Sequence, residues 1–548
     1  MRLGPSLGVA TSVVTTLVGL ALVGSCGEGN PGIDPPADKM WFPSGVMLDP
    51  RVDPAATGPC VTHDDCGAGE LCGGGGQCRA SSRWLFVTNA NSDRRFNAGS
   101  LMAIDLDAYW EAAFADPEAV RPAGAALSQD RPCRRLANLP QVVECMEEPF
   151  VEADATIHFG NFPGSATAWD RDPDDDEAMV LIPVRGDPSI TYAELSGGSG
   201  GQPLRFECGQ DSDTDGQRMC DDLHRLRFLR NDPDAARLAR EPFRVLVSPQ
   251  ADLPLAYVSH QGDEDLTLID LEGLRVGGDG RPAIVHQANI LVYAPNPALP
   301  SVQGGFGLAQ RPCEVDSGNA PTSTFECTRP LVYAAVRWQL QLEAFTAISH
   351  APDPEDPSSQ LECVGPDDLD KTGGVICEHQ VEPLARIGLT GLSTFNIPLN
   401  STRPILADIA FSRSGNQLYV LQSNPGGLIR VDTSLGFDGE PIDADVGVVE
   451  VCSQPTSFVI YDDGSNEYGI VTCYRSGEVF VVDLAALTVV GLSRAGIGPD
   501  AMTVDVAREV VYVANSLDAT VSVIDMSRTR NSRFTEIGRI GLQEPYTQ

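Results

Sequence analysis

Gly498–Asp525 reads GPDAMTVDVAREVVYVANSLDATVSVID, and Phe534–Leu542 continues it as FTEIGRIGL. AMTVDV, VVYVAN, TVSVIDM and the closing run are short, rich in Val, Ile, Thr and Tyr, and separated by polar turns. Alternation with period two and β-branched enrichment predict four antiparallel strands. A four-stranded sheet of this kind carries two apolar faces and cannot cover both alone, so copies of it are expected elsewhere in the chain. Thr456–Leu484 and Leu406–Asp432 repeat the plan, and Pro455 to Pro499 is a step of 44 residues. That step is the period of a propeller blade.

Tyr512-Val513-Ala514-Asn515 and Thr520–Asp525 resemble the repeat of the YVTN family of bacterial β-propellers, which runs LYVAN and then NTVSVID. The resemblance implies an all-β, seven-bladed β-propeller of four-stranded antiparallel blades, and a protein that serves as a binding platform. Upstream, more divergent copies fill the remaining length. The first unit is Gly45–Pro50, Trp84–Ser92, Ser100–Asp107 and a late outer strand at Ala155–Asn161. The second holds Ser165–Asp170, Ala178–Val184 and Ser189–Leu195. The third holds Phe243–Pro249, Leu255–His260 and Leu266–Leu271. The fourth holds Gly305–Gln310, Leu331–Trp338 and Leu342–Ile348, with its outer strand deferred to Ala385–Gly391. The surplus length is loop insertion. The predicted organisation is therefore a signal at 1–25, a tether at 26–40 and one propeller from 41 to 548, with a cysteine-rich module at 59–79 inserted in its first blade.

The chain has 548 residues and a formal net charge of −38. Such an acidic surface repels phosphates and anionic headgroups, which excludes a nucleic-acid role. MRLGPSLGVATSVVTTLVGLALVGSC, with one charge at Arg2 and small residues before Cys26, has the form of a bacterial lipoprotein signal in which Val23–Cys26 is the lipobox. An ordinary cleaved signal and a membrane helix are the alternatives. Gly27, in place of the Asp associated with inner-membrane retention, points to the outer membrane.

Fifteen cysteines leave fourteen once Cys26 is set aside for lipid. They fall into local pairs: Cys60 with Cys72, Cys66 with Cys78, Cys133 with Cys145, Cys208 with Cys220, Cys313 with Cys327, Cys363 with Cys377, and Cys452 with Cys473. Local even pairing implies an oxidising compartment. For the module at 59–79 three connectivities are open, and a metal knuckle is the alternative to disulfides.

The sharpest chemical motif is DSDTDGQRMCDD. Asp211, Asp213 and Asp215 stand at positions 1, 3 and 5 of a loop, Gly216 allows the bend at position 6, Gln217 follows, and Asp222 stands at position 12. Hard oxygen ligands at that spacing suit a structural Ca²⁺. Arg218 departs from the pattern, no entering helix precedes it, and DDLHRLRFLR is expected as an exiting helix. The acidic turn DRDPDDDE at 170–177 reads as a hairpin tip. Ser196–Gly201, SGGSGG, holds a G-x-S-x-G match without the strand and helix that a nucleophile elbow needs. Acidic residues near third-strand ends (Asp105, Glu194, Asp270, Asp432, Asp483, Asp525) read as turn formers. Inner strands offer Asp49, Asp170, Asp408, Asp462 and Asp505 as ordinary strand and turn residues. No vicinal cysteine pair, haem motif or histidine cluster is present. These features predict no catalytic residues and no organic cofactor. The expected protein is a monomeric, lipid-anchored envelope protein that binds or scaffolds a protein or glycan; a lactonase-like or quinoprotein dehydrogenase-like propeller enzyme is the alternative.

Overall fold

A computed structural model describes residues 32–543 apart from 53–54, 63–64, 68, 73–75, 172–174, 210–217, 249–253, 273–280, 290–303, 313–330, 338–339, 353–359, 363–377, 393–403 and 438. The lipobox with Cys26, the pairs Cys313–Cys327 and Cys363–Cys377, and Asp211, Asp213, Asp215 and Gln217 lie outside the described residues.

Seven sheets of four or more strands follow one another along the chain, all antiparallel in their blade pairing, and a three-stranded sheet stands apart. Blade 7 shows the rule. Its inner strand Pro499–Asp505 pairs with Val510–Asn515, that with Thr520–Asp525, and that with Glu536–Ile540. Successive side chains of a strand point to opposite faces. Val510, Tyr512 and Ala514 accordingly enter a cluster shared with blade 1, while Val511 and Val513 enter one shared with blade 6. Each of the seven apolar clusters lies between two consecutive blades or between blades 7 and 1. Burial of a Val or Leu side chain stabilises by about 1.5–3 kcal/mol, and here that gain is available only at an interface between blades. Inner strands of consecutive blades touch from blade 2 to blade 7, as do those of blades 1 and 7. Between blades 1 and 2, Ser44 Oγ donates to Pro163 O at 2.9 Å and Thr88 Oγ1 to Gly164 O at 3.0 Å. The sheets thus close into a propeller.

Closure between the last blade and the first uses a device the sequence pattern did not announce. The hairpin of Cys133–Arg135 and Val143–Cys145, from the insertion in blade 1, adds to the outer edge of blade 7: Val143–Cys145 runs parallel to Glu536–Ile540. Gly541 N donates to Cys145 O at 2.8 Å. Trp110 Nε1 donates to Tyr512 Oη at 2.8 Å, and Arg508 of blade 7 reaches Asp107 at 2.5 Å.

Other insertions decorate the rim. The outer strand of blade 2 is split into Arg205–Glu207 and Arg225–Leu226, both paired with Ser189–Ser196. In blade 4 the outer strand is Glu378–Gly388, longer than the expected Ala385–Gly391, because the third strand Gln341–Pro352 is itself twelve residues long and pairs along its length. The three-stranded module Ala56–Pro59, Glu70–Cys72 and Gln77–Ala80 is held by Cys60–Cys72 and Cys66–Cys78. Cys133–Cys145, Cys208–Cys220 and Cys452–Cys473 are also bonded, the last joining the end of blade 5 to the second strand of blade 6. Residues 32–40, read from composition as the end of a tether, lie against blade 1 and its insertion. Asn97 N donates to Ile33 O at 3.0 Å, Thr156 Oγ1 donates to Ala37 O at 2.8 Å, and Met40 is buried in the cluster of blades 1 and 7. The apolar side chain of Met40 overrides the polar composition around it.

Candidate functional site

In every blade the inner strand begins where the second strand ends, as Pro43 opposite Asn89, Pro242 opposite His260 and Pro499 opposite Asn515 show. These ends ring one mouth of the central channel. The backbone there is strained at recurrent positions: Phe42, Glu241 and Gln454, each preceding the proline that opens an inner strand, have φ of 53°, 53° and 59°, and Phe162, before Pro163 at the approach to the inner strand of blade 2, has 59°. Left-handed conformations at non-glycine residues cluster at functional surfaces.

Blades 2 to 4 place a phenylalanine at this corner (Phe162, Phe243 and Phe306), and each carries an arginine over its ring. Arg94 lies 5.3 Å from the Phe162 centroid, Arg185 and Arg244 lie 5.8 and 5.7 Å from that of Phe243, and Arg337 lies 4.7 Å from that of Phe306. Phe243 and Phe306 meet edge to face at 4.9 Å. Guanidinium groups within about 6 Å of a ring face are attracted by its quadrupole. The result is a crescent of alternating aromatic and cationic groups on one side of the mouth.

The arginines differ in partnering. Arg244 Nη2 crosses to Asp408 of blade 5 at 2.7 Å, and the same carboxylate accepts from Ser457 Oγ at 3.2 Å and Phe458 N at 3.1 Å of blade 6. Asp408 is buried and ties three blades, a role no strand pattern revealed. Arg244 Nε is buried and has no hydrogen-bond partner. Arg185, half-buried at the end of the second strand of blade 2, makes only long bonds, from Nε to Phe162 O at 3.4 Å and from Nη1 to Gln261 Oε1 at 3.5 Å. Arg337 Nη1 donates to Gln261 O at 3.4 Å. Burial pushes both Arg185 and Arg337 below the usual guanidinium range, and the attraction of Glu241, with Asp500 for Arg185, only partly offsets it. Elsewhere the balance reverses. Burial opposes the charges of Arg51 and Arg508 too, but Asp49 for the first, and Tyr512, Asp505 and Asp107 for the second, hold them above that range. Asp500 of blade 7 faces the same opening; burial raises its carboxyl, and Arg244 and Arg185 pull it back. His260 stands beneath the mouth, fully buried, with Nε2 2.9 Å from Thr267 Oγ1, and burial holds it down at about 4.

The other sequence candidates serve structure. Asp49, Asp170, Asp462 and Asp505 stand at or just past the far ends of their strands, where Asp49 pairs with Arg51 at 2.6 Å, Asp462 accepts from Gly464 N at 2.7 Å and Asp505 pairs with Arg508 at 2.9 Å. Asp105, Asp270, Asp432, Asp483 and Asp525 each accept a backbone N–H two or three residues on, at 2.9–3.1 Å, which is a turn role. Glu194 instead lies inside its strand. Of the acidic tip, Asp176 is held by Arg51 Nη1 at 3.1 Å and Ser199 Oγ at 3.0 Å, beside a cleft of about 590 Å³.

In the Asp211 loop, Asp222 is described, and its carboxylate lies 3.4 Å from Arg225 Nη1 and 3.1 Å from Arg227 Nη2. The expected exiting helix is not formed. Asp221 caps a single 3₁₀ turn, Asp222–His224, by accepting from Leu223 N and His224 N, after which Leu226 is buried as strand against blade 2. The groupings with metal-ligand geometry among the described residues are built on Cys60, Cys66, Cys72 and Cys78, whose sulfurs are in disulfides.

No protein-family model matches the chain, and no curated protein does. Among solved structures it is similar to the periplasmic gluconolactonase PpgL of Pseudomonas aeruginosa, at 12% identity and a TM-score of 0.38 over 76% of this chain and 84% of that one. It is similar to Sqt1 of Saccharomyces cerevisiae at 9% and 0.41, covering 92% and 89%. A protein from Lactobacillus plantarum gives 11% and 0.37, covering 76% and 82%. At these scores the likenesses carry no argument about activity; the propeller rests on strand pairing and on the clusters between blades.

Proposed function

We propose that this chain is a ligand-binding propeller of the cell envelope, carried on a lipid at Cys26, that receives a protein or glycan over the mouth lined by Phe162, Phe243, Phe306, Arg94, Arg185 and Arg337. The observation that supports this reading is the confinement of the aromatic and cationic crescent to one arc of the mouth. Residues from four blades, distant in sequence, converge there in strained corners. The enzyme alternative would draw on Asp500, the carboxylate that faces the same opening, as its base, whereas the crescent itself supplies donors and ring faces. The test is capture from envelope extracts with the lipid-free protein, comparing the parent with Arg94→Glu/Arg337→Glu. The reading expects one retained species that the double variant loses. Equal capture by both, or turnover of lactones without retention, refutes it.

A further inference from the structure

The mouth carries more cationic donors than its own carboxylates engage. Arg185 has no carboxylate within ion-pair distance among the described residues, only two bonds of 3.4 and 3.5 Å, and a half-buried position that removes much of its water. Beside it, the Nε of Arg244 is buried without an acceptor, although the same guanidinium is anchored through Nη2. Guanidinium groups taken out of water are compensated elsewhere in this protein by close carboxylates: Arg51 by Asp49 at 2.6 Å, Arg508 by Asp505 at 2.9 Å, and Arg539 by Glu536 at 2.9 Å. Arg185 stands outside that rule, and it does so over the ring of Phe243, which is itself in contact with Phe306. In a chain of net charge −38, a half-buried cation with no described carboxylate at ion-pair distance selects for an anionic group brought from outside.

We propose that the mouth is an anion-binding site in which Arg185, flanked by Arg337, receives a carboxylate or phosphate group, while a flat apolar part of the same ligand lies on Phe243 and Phe306. This deepens the binding reading above and rests on it. Arg244, locked to Asp408, lies against the ring of Phe243 and holds that side of the site in place. A planar guanidinium binds such oxyanions through paired hydrogen bonds, and a desolvated site strengthens them. The geometry selects for an oxyanion joined to a ring, as in an acidic sugar or an aryl phosphate. A bare oxyanion uses half of the site, and a neutral ring the other half.

The test is calorimetric titration of the mature chain with four probes: phenyl phosphate, benzoate, inorganic phosphate and benzyl alcohol. Phenyl phosphate and benzoate are expected to bind more tightly than inorganic phosphate, and benzyl alcohol least. Arg185→Gln weakens the two anionic aromatic probes by about tenfold or more, the scale of hydrogen bonds to charged groups. Phe306→Ala removes the advantage of phenyl phosphate over inorganic phosphate. Arg475→Gln, an exposed arginine on the same face, changes neither, and melting temperatures of all variants are compared with the parent to show that they fold. The inference is overturned if neutral and anionic probes bind alike, if Arg475→Gln weakens binding as much as Arg185→Gln, or if no probe binds at about 10 mM. The two readings fail separately. Capture from envelope extracts that Arg185→Gln abolishes, with no binding of any anionic probe, overturns the anion site and leaves the binding function. Arg185-dependent probe binding, with extract capture unchanged in the variant, leaves the site and overturns the function assigned to it.

Discussion

Breaking the Cys133–Cys145 bond by Cys133→Ala/Cys145→Ala tests how the ring is held shut. Alanine is chosen because both sulfurs are buried, so that a serine hydroxyl would add its own desolvation cost. The bond closes a loop of sequence separation 12. Releasing a loop of that length returns about 3 kcal/mol of entropy to the detached hairpin. The hairpin is what covers the outer edge of blade 7, where Gly541 N donates to Cys145 O. If detachment exposes that edge, protection of the Gly541 amide falls by about 100-fold, since 1.4 kcal/mol is a factor of ten. Val481, in the third strand of blade 6, is the internal control and keeps its protection. The assay is native-state hydrogen exchange read residue by residue. Unchanged exchange at Gly541 would show that the hairpin is decoration and that the apolar cluster of blades 1 and 7 closes the ring unaided.

Four further outcomes are expected. Asp408→Ala leaves Arg244 without its counter-charge and lowers stability by about 3–5 kcal/mol, whereas Arg244→Met/Asp408→Leu recovers part of that loss; urea midpoints decide it. Burial holds the Glu147 carboxyl up at about 7 in the folded chain against 4.5 as its ordinary value. The folded state therefore binds the extra proton between those values, and stability is full below about 4.5 and falls by on the order of 3 kcal/mol as pH rises to 7. Glu147→Gln removes that slope, and an unchanged slope in denaturation series at successive pH values refutes it. Burial holds His158 down at about 4, so its contribution is complete above 6.5 and lost as pH falls toward 4; His158→Gln flattens this acid limb. Calcium at millimolar concentration raises the melting temperature of the parent but not of Asp213→Ala, and a parent indifferent to calcium removes the ion from the reading of the Asp211 loop.

The blades were legible where strands are bounded by turns and alternate without interruption. Thr456–Leu484, which repeats the plan, holds all but the first residue of Pro455–Asp462 and the whole of Glu467–Cys473 and Glu478–Asp483. Period-two burial is a local signal, and each strand carries it alone. The hairpin at 133–145 was not legible as a closure, because two three-residue strands have no period and their partner lies at the other end of the sequence. The DDLHRLRFLR segment misled because Leu223 and Leu226 have helical spacing, yet Asp221 turns the chain and only Leu226 is buried. The mouth was missed altogether. Arg185 and Arg337 follow the ends of second strands in separate blades, and neither has a neighbour in sequence that marks it. One signal was available: Phe42-Pro43 and Pro242-Phe243 set an aromatic beside the proline that opens the inner strand, and Phe162-Pro163 does so just ahead of it. Blades 6 and 7 have Pro455-Thr456 and Pro499-Asp500 instead.

The parallel pairing of Val143–Cys145 with Glu536–Ile540 also orders events during synthesis. The clasp is made early and its eyelet last, since residues 146–535 must emerge between them. A growing polypeptide therefore carries a stapled hairpin with nothing to fasten to, and an apolar first wedge with one bare flank. Only when the final described strand arrives can the circle lock, so shortening the protein from its far end by a single strand leaves the opening blade as exposed as the closing one.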